Sequence, residues 1–267
     1  MANNFQEYGV STICALKING NYVSKINGKF FMIYPWIEGR VFTQDDEITA
    51  DIAQKIGMSL AKIHKINLQS DSSPKPILSY PEYYKWQDLA KKVQKLDCIW
   101  QNKCVDFIQN MASWYDLAEQ SNINLQGDLL LSHKDLDMKN VIWDKDGEIY
   151  IIDWESVGYT NPTKELTQLA FDWSYGSEGG QNKMIFQKIF KAYSQINEID
   201  TKKVKDVLYS SLGDNLGWLE FNLKRVLHEI KAEIEEVKIA EIEIPKTIDI
   251  ISHRLKHLEK YVDWTKV

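Results

Sequence analysis

The chain has 267 residues, 44% of them hydrophobic, enough to bury a real core in one large or two small domains. Its formal net charge of −6 argues against a nucleic-acid partner, whose phosphates call for a basic face, and is compatible with a cationic small molecule. Cys14, Cys98 and Cys104 have no C-x-x-C spacing and read as reduced thiols of a cytoplasmic protein, and no apolar run approaches the ~18–20 residues that span a bilayer.

The first ten residues, MANNFQEYGV, show no basic-then-apolar leader pattern. Residues 11 to 34 carry two Asn-Gly pairs, Asn19-Gly20 and Asn27-Gly28, between β-prone runs. Asn and Gly accept the positive φ of a two-residue hairpin turn, so the stretch predicts a three-stranded antiparallel meander. Tyr34-Pro35-Trp36-Ile37-Glu38-Gly39-Arg40 ends it, because Pro cannot continue a ladder and Gly marks a bend. Thr43 to Glu47 reads as a capped helix start with acids in its first turn. Ile48, Ile52, Ile56, Leu60 and Ile63 continue that helix as one apolar stripe, ending near a structural His64. Gln69 to Pro76 is a polar loop. Two further helical stretches are expected, from about Pro81 to Val93 and from Cys98 to Ala118, with their aromatics in the core.

Leu131 to Glu155 organises the rest. Val141-Ile142-Trp143-Asp144 and Glu148 to Ile152 flank Lys145-Asp146-Gly147, and Asp-Gly between two apolar, β-branched runs is strong hairpin chemistry. Folding about Asp146 sets Asn140 beside Ile152 and Asp153, because neighbouring strands lie about 5 Å apart. Asp135 stands just upstream on the incoming loop. Hard oxygen ligands at this spacing suit Mg²⁺, which takes one or two protein groups and completes its shell with water and phosphate oxygens. Further on, Asn161-Pro162 opens a helix that buries Leu166, Leu169, Ala170 and Trp173. Gly176 to Gly180 follows a helix, not a strand, and reads as a loop. A helix from about Asp214 carries an apolar side from Leu216 to Val237, and a last helix follows Pro245.

Two of these segments carry a family resemblance. His133-Lys134-Asp135-Leu136-Asp137-Met138-Lys139-Asn140 matches H-x-D-x-x-x-x-N, and Ile151-Ile152-Asp153-Trp154-Glu155 matches I-D-W/F-E. In them the chain resembles the protein kinase-like superfamily, in its aminoglycoside phosphotransferase and choline kinase branch. The resemblance implies an α+β, kinase-like fold. A reduced N-terminal antiparallel β-lobe with its hinge would occupy residues 1–37, and a mainly α-helical C-lobe carrying the catalytic β-hairpin and metal site would occupy 38–267.

The same resemblance implies site roles. Asp135 becomes the base that orients the acceptor hydroxyl, with His133 as a loop support. Lys139 either compensates charge on the transferred group or is a plain exposed lysine. Asn140 and Asp153 become the Mg²⁺ ligands. The carbonyl of Pro35 and the N–H of Ile37 become hinge contacts to the base of ATP or GTP. Asp137 is expected to turn toward backbone N–H groups or the acceptor, and Glu155 to brace the loop. The partner is a small-molecule hydroxyl substrate, an aminoglycoside being one candidate, with Asp172, Glu178, Asp214 and Glu220 suited to a cationic one. No nucleic acid or membrane partner is expected, and the oligomeric state is not indicated. No glycine-rich loop, strand lysine or helix glutamate precedes the hinge, so that Met1 would fall inside a longer ancestral N-lobe. The rival reading is therefore a catalytically impaired, pseudokinase-like binding protein.

Overall fold

The computed structural model describes residues 2–43, 46–68, 83–176 and 180–267, without the side chain of Tyr84. In chain order it contains helix α1 (Ala2–Glu7), strands β1 (Ser24–Ile26), β2 (Lys29–Phe31) and β3 (Gly39–Arg40), and helices α2 (Ala50–Ile66), α3 (Tyr83–Val93), α4 (Gln101–Asn110) and α5 (Ala112–Asn124). Strands β4 (Leu130–Ser132), β5 (Val141–Asp144), β6 (Ile149–Ile151) and β7 (Gly158–Thr160) follow. Helix α6 (Pro162–Ser174), the short pair β8 (Tyr175–Gly176) and β9 (Gly180–Gln181), and helices α7 (Lys183–Ser194), α8 (Val204–Val226), α9 (Ile234–Lys256) and α10 (Leu258–Trp264) complete it. The architecture is α+β, mainly helical, with small antiparallel sheets. No helix among the described residues is long and apolar enough to cross a membrane.

The chain divides into two units, Met1–Pro74 with Asp128–Ile199 and Val267, and Lys75–Gly127 with Asp200–Lys266. In the first, β5 and β6 form the expected hairpin, pairing Val141 with Ile151, Ile142 with Tyr150 and Trp143 with Ile149. Its turn is fixed locally: the Asp144 carboxylate accepts the N–H groups of Asp146 (2.9 Å) and Glu148 (2.8 Å), and Gly147 takes φ +75°. β3 adds to β5, with Gly39 opposite Asp144 and Arg40 opposite Trp143, and β4 pairs with β7.

The expected meander is only partly realised. Both Asn-Gly turns form, with positive φ at Asn19, Gly20, Asn27 and Gly28, and the second closes the β1–β2 hairpin. Leu16 N–H donates to Ile33 O (2.7 Å) and Ile18 bridges Asn21, but the start of the run before the first turn goes elsewhere. Ile151 N–H donates to Ser11 O (2.9 Å), Ile13 N–H donates to Ile151 O (3.3 Å), and Thr12 forms a parallel bridge with Ile151. A central hairpin edge buried on its core side offers a better ladder than an isolated, exposed one.

Helix α2 begins at Thr49, not Thr43: the Thr49 hydroxyl accepts Ile52 N–H, while Thr43 N–H is taken by Asp46, which also pairs with Arg40 at 2.8 Å. Gln44, Asp45, the loop from Gln69 to Pro76, Pro81 and Ser177 to Gly179 lie outside the described residues. Asn161 caps α6 as expected, accepting from the N–H groups of Thr163 (3.1 Å) and Lys164 (3.2 Å). Helix α7, which the sequence reading passed over, is capped by Asn182 and buries Ile185, Phe186, Ile189 and Phe190.

In the second unit the stretch from Cys98 to Ala118 splits at Met111 into α4 and α5. Helix α8 begins at Val204 and stops at Val226, short of the expected Val237, because His228 turns left-handed at φ +56°. A Glu233–Glu236 capping box then starts α9, and Pro245 sits inside that helix instead of before it. The carbonyl that Pro245 leaves without its helical donor belongs to Glu241, an exposed residue where water can replace the bond. Trp86, Ile108, Met111, Leu216, Leu219 and Ile244 form the centre of this unit's core.

Candidate active site

Strand β4, held by β7, delivers His133 to the first unit's interior, where its ring is fully buried. Its Nε2 donates to Ile152 O (2.9 Å), and its Nδ1 accepts Asp135 N–H (3.3 Å). This pattern needs the neutral ring. Burial pushes the His133 pKa down, and the Ile152 carbonyl with the Glu165, Asp135 and Asp153 carboxylates oppose the shift without reversing it. The charges of Asp135 and Asp153 thus both favour the protonated form of this one imidazole.

Between His133 and Asp135 the backbone turns sharply: Lys134 adopts φ +67°, a left-handed conformation that costs a side-chain-bearing residue about 1–2 kcal/mol. Lys134 N–H is held by the Glu165 carboxylate (Oε1, 2.9 Å). The other Glu165 oxygen lies 3.0 Å from His64 Nε2, which is also 3.1 Å from the Ser132 hydroxyl, while His64 Nδ1 lies 2.8 Å from the Tyr193 hydroxyl. Burial works to raise the Glu165 pKa, but the hydrogen bond and charge of His64, the Ser132 hydroxyl and the Lys134 N–H outweigh it and hold the carboxyl below its ordinary range. Four elements, α2, β4, α6 and α7, therefore meet at one buried polar cluster behind the loop.

Asp137 caps a short 3-10 turn over Met138–Asn140, its carboxylate accepting Met138 N–H at 2.6 Å, in line with its expected turn toward backbone donors. That turn buries Asn140. Its Nδ2 donates to both the backbone O (2.8 Å) and the Oδ2 (2.9 Å) of Asp135, and its backbone carbonyl accepts Ile152 N–H (3.0 Å). With the amide nitrogen so occupied, the Asn140 side-chain oxygen points to no protein donor among the described residues.

Asp153, the residue after Ile152, takes φ +61° and exposes its carboxylate, likewise without a protein hydrogen bond among the described residues. Its neighbour Trp154 anchors the turn: the indole stacks on Phe5 (4.8 Å), meets the His133 ring edge-on (4.7 Å) and donates Nε1 to the Thr12 hydroxyl (2.7 Å). Trp173 Nε1 donates to Leu136 O (2.9 Å), fixing the loop from the opposite side.

Lys139 Nζ stands 3.8 Å from Asp135 Oδ2, a loose pair with both side chains partly in water. Pro35 is exposed and Ile37 half-buried, on the segment that feeds β3 into the hairpin sheet; no hydrogen bond ties them to Asp135, Asn140 or Asp153. Glu155 is exposed and braces nothing among the described residues. Asp172 accepts from Gln168 (2.7 Å), Glu220 pairs with Lys224 (2.6 Å), and Glu178 lies outside the described residues. Sequence reasoning missed Glu165, Ser132, Tyr193 and Thr12. For Glu165 a signal existed, an acid in the first turn of a helix otherwise buried on that side, but its target could not be read.

The model of the phosphotransferase enzyme family matches residues 18–199. The chain belongs to that family. No curated protein matches this phosphotransferase-family chain in sequence. Among solved structures it resembles a spectinomycin phosphotransferase in complex with ADP and spectinomycin, at 16% identity and a TM-score of 0.63, over 94% of this chain and 80% of that one. An amicoumacin kinase in complex with AMP-PNP and Ca²⁺ is similar at 16% identity and a TM-score of 0.58, over 92% and 75%. A choline/ethanolamine kinase family protein from Mesorhizobium loti follows at 13% and 0.55, over 99% and 82%. At such identities these likenesses establish the fold, which is kinase-like, of the aminoglycoside phosphotransferase and choline kinase branch.

Proposed function

We propose that the chain is an ATP- and Mg²⁺-dependent phosphotransferase acting on a hydroxyl of a small molecule. One observation carries the reading: Asn140 is locked to Asp135 through its amide nitrogen, which leaves its side-chain oxygen and the Asp153 carboxylate as free hard ligands at the open end of one hairpin. The donor set fits the metal. No group of three or more His, Cys, Asp or Glu among the described residues forms a closed cage, and Mg²⁺ takes only one or two protein oxygens when phosphates supply others. When bound, the ion neutralises phosphate charge and orients the transferred group.

The remaining work falls to the chain's own residues. Asn140 and Lys139 engage only Oδ2 of Asp135, so Oδ1 is available to accept the acceptor hydroxyl's proton and orient its lone pair. His133 holds the loop by its two hydrogen bonds, and Lys139 offsets charge beside Asp135. Pro35 and Ile37 supply a carbonyl and an N–H to the base, and residues 1–37 act as the nucleotide-covering lobe against 38–267. The ADP and AMP-PNP held by the structural neighbours, and the antibiotics their names carry, support a nucleotide donor and make aminoglycosides sensible first acceptors. The three free cysteines fit a reducing, cytoplasmic setting.

Calorimetric titration of ATP and of GTP, with and without Mg²⁺, into the wild type and Asp153→Ala tests the metal assignment. Binding should need Mg²⁺ and weaken at least tenfold in the variant. Equal binding by the two proteins would refute it. A labelled γ-phosphate screen over aminoglycosides and amino alcohols then identifies the acceptor.

A further inference from the structure

We propose that Gly39 is a positioning residue for the nucleotide base. Its missing side chain lets β3 press onto β5, and that contact sets where Pro35 and Ile37 stand relative to the hairpin carrying Asn140 and Asp153. A Cβ at Gly39 would fall 2.5 Å from Trp143 O, 2.7 Å from Ile142 Cγ2 and 3.0 Å from the Trp143 carbonyl carbon. Non-bonded carbons rest at about 3.5–4.0 Å, so any side chain here drives the two strands apart. Gly39 does not share the positive φ of Gly28 and Gly147. What it supplies is room, not backbone freedom.

Which strand would yield follows from how each is held. Trp143 is buried, packs on Phe42 (5.1 Å) and Trp173 (6.4 Å), and pairs with Ile149 across the hairpin, so its carbonyl is fixed. β3 is only two residues long and exposed. Its downstream end is pinned, because Arg40 pairs with Asp46 (2.8 Å) and lies over the ring of buried Phe42 (4.6 Å). Upstream, Pro35, Trp36 and Ile37 make no hydrogen bond among the described residues. The pairing of Gly39 with Asp144 is therefore the first place after that segment where the backbone is tied down. A side chain at position 39 swings residues 35–38 outward and leaves Asn140 and Asp153 in place. This rests on the reading that Pro35 and Ile37 meet the base. Within that reading the hold on the base and the hold on the metal are separable, and Gly39 serves only the first.

Calorimetry on the full chain with Mg-ATP and Mg-UTP tests this. The two share a triphosphate, but uracil offers a carbonyl where adenine offers its amino group. The wild type should prefer ATP by about tenfold, the scale of one or two hydrogen bonds. Gly39→Ala should bind ATP about tenfold more weakly and UTP within about twofold of the wild type, so that the preference disappears. Amide exchange should quicken over residues 38–41 and stay unchanged over 149–152. A variant that binds both nucleotides as the wild type does, that loses both equally, or that fails to fold overturns the proposal. A wild type that holds ATP and UTP alike also overturns it and leaves the phosphotransferase reading standing. A wild type that binds neither removes both.

Discussion

Two hairpins in the first unit were written with the same chemistry and ended in opposite environments. β1–β2 closes on Asn27-Gly28 and β5–β6 on Asp146-Gly147, each with glycine at positive φ. Along β5 and β6 every second residue is buried, and β3 and the Ser11–Ile13 segment cover both edges. Along β1 and β2 none is buried. A turn fixes register, but a two-stranded ribbon is marginal in water until something covers it. The covered hairpin can therefore hold Asn140 and Asp153 at fixed positions, whereas the uncovered one offers a surface and little rigidity.

The comparison breaks most sharply at the open end of the covered hairpin. Asp135→Ala should lower phosphoryl transfer ~10²–10⁴-fold, the usual loss for a general base, with circular dichroism unchanged. Retained turnover would remove Asp135 from that role. The next largest effect lies behind the loop. Glu165→Ala strips Lys134 N–H, His64 and Ser132 of a common buried acceptor and should cost about 3–5 kcal/mol in urea unfolding. Glu165→Gln keeps an oxygen for Lys134 N–H and should cost less than half of that. Equal losses would mean that the charge, not the loop anchor, is what matters.

How much of this was legible in the sequence follows from distance along the chain. The β5–β6 turn, the Asn140–Ile152 register and the Asn161 cap are local, and each was read from residues within about a dozen positions of one another. The cap was read at Thr43, but Asp46 takes Thr43 N–H while pairing with Arg40, and Thr49 caps the helix instead. Pro245 looked like a boundary because the reading weighed proline chemistry above an apolar period that runs through it, with Ala240, Ile244, Ile248 and Ile251 all buried. The Glu165–Lys134 and Glu165–His64 contacts, and the docking of Ser11 and Thr12 on Ile149 and Ile151, join distant segments. No periodicity encodes such pairings. They had to be seen in three dimensions.

Acid titration separates the two hairpins by a different route, since the covered one has buried titratable groups behind it. The His133 and Glu165 pKa values both lie below their ordinary 6.5 and 4.5. As pH falls the unfolded chain takes up protons that the folded chain refuses, so stability is complete above about 6.5 and declines on acidification. A first loss should begin below 6.5, from His133, and a second below 4.5, from Glu165, each continuing down to the folded-state value. Urea midpoints measured against pH should show both. His133→Gln should erase the first loss and leave the second; a wild-type profile flat from 6.5 to 5 would contradict the buried neutral ring.

The smallest effect isolates the turns themselves. Gly147 and Gly28 sit at φ +75° and +78°, and a Cβ added at either meets no close neighbour, only Lys55 Nζ at 3.6 Å beside Gly147. Alanine at each position therefore carries the same backbone strain, about 1–2 kcal/mol, and nothing else. In Gly147→Ala that strain should appear in full as a lowered unfolding midpoint, because β5–β6 opens only when the first unit's core does. In Gly28→Ala, measured in dilute solution, the ribbon can open alone. The global midpoint should then move by less than about 0.5 kcal/mol, as for a surface change, while amide exchange quickens over residues 24–31. Equal shifts in the two variants would show that β1–β2 is coupled to the core after all, and that its cover is already in place.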